Sequence, residues 1–127
     1  MVEKLTPVLP VEEIEPVLPF WVERLGFSVT AEVSEGDRLG FVILEKDGVE
    51  VMYQTRESLE GDAPALADVP AGGSILFLRV EALAPVLEAL KGVPVVVPRR
   101  RTSYGADEVF VREPGGHVVG FAAFGGK

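Results

Sequence analysis

No cysteine occurs anywhere in the chain. That single absence excludes disulfides, zinc–thiolate centres and thiol nucleophiles together. Histidine occurs once, as His117. One histidine beside a Pro-Gly-Gly turn does not make a Ser/His/Asp triad. Basic residues are also scarce: 12 Lys and Arg stand against 20 Asp and Glu, for a net charge of −8. Nucleic acid and anionic membrane surfaces would repel such a chain at long range. A cationic ligand is compatible with this charge, and so is simple solubility. No apolar run approaches the roughly 20 residues that span a bilayer. Residues 1–4 (MVEK) do not resemble a signal peptide, so a cytoplasmic location is the default expectation.

What is present is an ordinary globular composition, 47% apolar and 25% charged over 127 residues. That length predicts one small domain, burying roughly two thirds of its unfolded surface. The chain is punctuated by 14 glycines and 10 prolines, and between them its pattern runs twice. Residues 5–11 (LTPVLPV) form a short apolar segment. Ile14, Val17, Leu18, Trp21 and Leu25 then recur at helical steps, and Gly26 supplies a stop able to take positive φ. Pro19 would cost a backbone hydrogen bond in a helix begun near Glu13, so the helix is expected to begin late. Residues 27–33, 39–45 and 49–54 read as strands, with Asp47-Gly48 as a hairpin turn.

The second half repeats this order. Residues 74–80 read as a strand, Leu83, Val86, Leu87 and Leu90 as a helix face, and Gly92 as its stop. Residues 93–97, 108–112 and 118–124 are the closing strands, the last two joined across Pro114-Gly115-Gly116. Val11 corresponds to Val80, Gly26 to Gly92 and Gly48 to Gly116, at a nearly constant offset. The expected fold is α+β: two βαβββ repeats, about 1–56 and 74–127, joined by a linker over 57–73 with room for a short helical turn. One helix can cover only one face of each sheet. The other faces are expected to be curved and open, forming a trough that a homodimer closes or extends.

The segments Phe20-Trp21…Leu25-Gly26-Phe27 and Tyr104-Gly105…Glu113-Pro114-Gly115-Gly116-His117, set in tandem βαβββ units, resemble the vicinal oxygen chelate superfamily. That superfamily includes glyoxalase I, extradiol dioxygenases, fosfomycin-resistance enzymes and bleomycin-resistance proteins. The resemblance covers essentially the whole chain. It implies four metal-ligand positions, which fall here on Thr6, Glu50, Ile75 and Gly120. Only Glu50 carries a donor of the usual kind, and one carboxylate cannot hold a divalent ion that needs three or four. His117 lies three residues from Gly120, on the opposite face of a regular strand. No metal or cofactor is therefore expected, and Gly120 is expected to leave space where a carboxylate would have been.

Missing ligands point to the bleomycin-resistance-like members, which sequester a molecule without metal. The implied function is binding of a small, cationic or aromatic ligand, with antibiotic resistance as the family precedent and no catalytic residue assigned. Glu50, Met52 and Gln54 alternate onto one strand face and would line one wall. Gly120, Ala122 and Phe124 would line the other, with Tyr104 as a lid. Few aromatics are expected on this surface. The facing of Glu108 is ambiguous, and Arg99-Arg100-Arg101 reads as a solvated loop, a subunit contact or a lip. Trp21 is expected to be core. Two alternatives stay open: a glyoxalase-like lyase or isomerase, related to the dioxygenases, using Glu50 as an acid/base of raised pKa, and a dimeric interaction module whose trough is vestigial.

Overall fold

Two four-stranded mixed sheets, built in the same order, make up the computed structural model, which describes residues 1–125. The first contains β1 (Val8–Val11), β2 (Ser28–Glu35), β3 (Arg38–Lys46) and β4 (Val49–Thr55), in the spatial order β1-β4-β3-β2. The second contains β5 (Ile75–Arg79), β6 (Val95–Arg101), β7 (Asp107–Arg112) and β8 (Val118–Ala123), in the order β5-β8-β7-β6. In each, the first strand pairs parallel with the last and the other pairings are antiparallel. The α+β architecture and its repetition agree with the sequence pattern. The chain divides into two compact units, Met1–Ala71 and Gly72–Lys127.

In the first unit, the expected helix between β1 and β2 is broken by Pro19, which has no N–H to give. The carbonyl of Glu15 instead receives the N–H of Leu18, closing a 3-10 turn over Glu15–Val17. The chain then widens into a π-helical stretch, Pro19–Arg24. Gly26, at φ 79°, turns the chain so that Phe27 N–H bonds back to the carbonyl of Trp21 at 2.9 Å. This irregular helix still buries the expected side chains Ile14, Val17 and Trp21, with Phe20 beside them. Trp21 packs edge-on against Phe20 and Phe27, with centroids 5.2 and 4.9 Å away. Its indole N–H bonds to the Tyr53 hydroxyl at 2.8 Å, satisfying a donor that burial would otherwise strand.

The β3–β4 turn has Asp47 at φ 53° and Gly48 at φ 81°, two positive values that match the twist of a tight hairpin. Helix α1 (Arg56–Asp62) follows β4 and runs into residues 57–73, its N-terminus capped by the Thr55 hydroxyl, which accepts from Ser58 N–H at 3.1 Å. A 3-10 helix, Pro64–Asp68, follows.

In the second unit, helix α2 (Ala84–Ala89) follows β5 and buries Leu83 and Leu90 at its ends. Val109, Val111, Val119 and Phe121 are also buried. The paired positions Val109 and Phe121, with Val111 and Val119, set one face of β7 and β8 inward. The alternate residues form the other face. The three arginines expected in a loop lie at the end of β6, where two register shifts interrupt regular alternation. Among the described residues, no helix is long and apolar enough to cross a membrane.

Candidate functional site

Each unit presents its own non-helical sheet face, and the two faces differ in chemistry. On the first, Glu50, Met52 and Gln54 alternate as expected and are all half-buried, while Val51 and Tyr53 point into the core. Val49, at the strand's start, is exposed. Glu50 is not a free carboxylate. It accepts a hydrogen bond from the Thr6 hydroxyl at 2.9 Å and pairs with Lys4 Nζ at 3.1 Å. The Thr6 hydroxyl, followed by Lys4, holds its carboxyl below the usual carboxylate range. The shift is opposite to the raised pKa that an acid/base role would require. Gln54 donates to the Ser58 hydroxyl at 3.0 Å, so its amide is tied to α1.

The face of the second sheet is aromatic. Strand register places Phe77, Gly120 and Phe110 in one cross-strand row. Arg79, Ala122, Glu108 and Arg100 form the next row. Phe77 lies with its centroid 6.1 Å from Phe110 and 6.5 Å from Phe124. Tyr104 lies 6.2 Å from Phe124, and the Arg79 guanidinium carbon stands 4.2 Å from the centre of the Phe124 ring. The last distance is within cation–π reach. The expectation of few aromatics on this surface is therefore wrong. Phe77 and Phe110 join this face through their pairing with Gly120, which strand alternation alone does not give.

Glu108 faces the same way. Its side chain is only 1% exposed, and its carboxylate is saturated. Arg100 Nε and Nη2 each approach Oε2 at 2.8 Å, and the Tyr104 hydroxyl donates to Oε1 at 3.3 Å. Tyr104, 64% exposed, is thus tethered at its hydroxyl while its ring stays open to solvent. Arg99 turns the other way and forms a two-point pair with Asp107, at 3.0 and 2.9 Å. That pair lowers the Asp107 pKa and raises that of Arg99.

Gly120 and Ala122 are buried. The space over Gly120 is not vacant: a Cβ there would come 2.3 Å from Cε2 of Phe110. The expected gap is filled by a ring. Thr6 and Glu50, the paired ligand positions of the first unit, are closed by a hydrogen bond. Ile75 offers only a hydrocarbon, and Gly120 lies under Phe110. These four positions do not fit a divalent cation. Among the described residues, no group of three or more His, Asp or Glu side chains is placed to hold one. His117 is buried, and its backbone N–H donates to the Glu113 carboxylate at 2.8 Å, bracing the turn before β8.

The fold is shared with solved structures. A glyoxalase/bleomycin resistance protein/dioxygenase from Nocardioides is 19% identical, with a TM-score of 0.74 over 98% of this chain and 85% of that one. A family enzyme from Burkholderia phytofirmans PsJN is 14% identical at TM-score 0.76, covering 94% and 96%. TioX from Micromonospora sp. ML1 is 16% identical at TM-score 0.76, covering 97% and 99%. No match was found among curated proteins. The family model of the Glyoxalase/Bleomycin resistance protein/Dioxygenase superfamily matches residues 5–121. The repeated sheet order, the shared fold and this match over nearly the whole length together make the chain a member of that superfamily.

Proposed function

We propose that this chain is a metal-independent binding protein that sequesters a planar aromatic small molecule against the open face of the second sheet. One observation carries this: Phe77, Phe110, Phe124 and Tyr104 converge on that face, with Phe77 49% and Tyr104 64% exposed. Large aromatic surface left in water on a sheet face marks a place where something apolar is bound. A flat ring can stack there at about 0.5–1.5 kcal/mol per ring pair beyond the burial itself. The four unsuitable metal positions favour binding without a cation.

The family precedent for such a role is ligand sequestration, as in bleomycin resistance, in a cytoplasmic homodimer. Edge strand β2 is exposed along its whole length, including Val29 and Val33, and β6 leaves Val95 and Val96 exposed. A second copy covering these edges would remove unpaired backbone groups and apolar surface from water. Sedimentation equilibrium tests the dimer, and a monomer at all concentrations would overturn it. A lyase or isomerase using Glu50 gains no support, because its carboxylate is held in the charged form and already bonded twice.

The binding role is tested by titrating fused-ring aromatics into chelator-treated protein, with Phe124→Ala as the comparison. Saturable binding that weakens in the variant is expected. Absence of saturable binding by any ring would overturn the proposal.

A further inference from the structure

The aromatic face of the second sheet has a charge sign opposite to that of the chain. β5–β8 place three arginines on it, Arg79, Arg100 and Arg112, against one carboxylate, Glu108. The chain as a whole carries −8. The four charges are not equally available. Glu108 is enclosed, with both oxygens engaged by Arg100 and Tyr104. Arg112 bonds to the carbonyl of Gly116 at 2.8 Å. Arg79 is exposed, stacks on Phe124 and, among the described residues, has no carboxylate partner. Its guanidinium lies beside the rings.

Resting on the binding role proposed above, we infer that this face selects planar aromatic molecules that carry an anionic group, a carboxylate or an ionised phenol, received by Arg79. Guanidinium donors match a carboxylate in two parallel hydrogen bonds, and the Phe124 ring below fixes the plane of the fork. A cationic ligand meets the reverse situation. The only carboxylate on these strands facing it is out of reach and already neutralised by Arg100, while Arg79 repels it. Local charge thus overrides the acidic total, because the field of distant surface carboxylates is screened over about 10 Å and the contact pair is not. The expectation of a cationic ligand drew on that total charge and on Glu50. On this face the arginines favour the opposite sign.

The test compares three ligands with one ring: 2-naphthoate, 2-naphthamide and 2-naphthylmethylammonium, titrated calorimetrically into chelator-treated protein. Naphthoate is expected to bind about tenfold more tightly than the amide, the size of one charge-assisted contact, with the ammonium weakest. In Arg79→Gln the preference should vanish while amide affinity stays within about twofold, and Arg79→Lys should restore part of it. Equal binding of all three, tighter binding of the ammonium, or a preference surviving Arg79→Gln would each overturn the anion selectivity while leaving aromatic binding intact. Failure of every ring to bind would overturn the binding role itself.

Discussion

The ring of Phe110 lies over the backbone of Gly120, so close that a methyl group on Gly120 would sit 2.3 Å from its Cε2 atom. The two residues face each other across β7 and β8. The absence of a side chain at Gly120 leaves room for an aromatic ring against the strand. The same ring reaches Phe77 on the neighbouring strand.

Gly120→Ala should therefore destabilise the protein through overpacking, by about 1–3 kcal/mol. Phe110→Leu in the same chain should recover part of that loss, because the two sites share one volume. Urea denaturation of the two single variants and the double variant measures the coupling. Strict additivity would show that the contact is not strained.

Tyr53→Phe removes the oxygen that accepts the Trp21 indole N–H in the core of the first unit. An unsatisfied buried donor costs about 1–3 kcal/mol. The expected loss appears in the denaturation midpoint, while aromatic binding on the second sheet is unchanged.

Thr55→Ala removes the hydroxyl that caps α1. A loss of about 0.5–2 kcal/mol is expected, and Thr55→Ser should restore most of it. Hydrogen exchange at the Ser58 amide should quicken in the alanine variant and not in the serine variant.

Stability should fall on acidification. Glu15, bonded to the Leu39 N–H, Glu50, bonded to Thr6, and Asp107, paired with Arg99, all have lowered pKa values. A carboxylate whose folded pKa lies below its unfolded one adds stability that is fully present above the unfolded value. That stability is lost as pH falls through the folded value. Denaturant midpoints should be flat near neutrality and decline below about pH 5. Thr6→Val should shallow the decline by loosening the hold on Glu50.

Much of the architecture was legible because turns and periodicity carry it. Asp47-Gly48 marked a hairpin, Gly26 a helix stop, and the near-constant offset between equivalent residues showed two copies of one unit. Pro19 signalled trouble in the first helix, but not that a π turn would absorb it. The shared facing of Glu50, Met52 and Gln54 was legible because β4 alternates without interruption. The second face was harder to see. β6 carries two register shifts, so counting along Arg99-Arg100-Arg101 does not say which arginine faces which way. Phe77 sits in an apolar run whose two faces look alike until its pairing with Gly120 is known. Glu108, a charged residue with a nearly unexposed side chain, became interpretable only with Arg100 and Tyr104 around it.

The most direct test of the central claim is a calorimetric titration of chelator-treated protein with 2-naphthoate, run in parallel on wild type and Phe124→Ala. Saturable binding without added metal, weakened about tenfold or more by loss of the ring, is the predicted result. Binding that appears only when a divalent ion is restored, or that ignores the loss of Phe124, would contradict it.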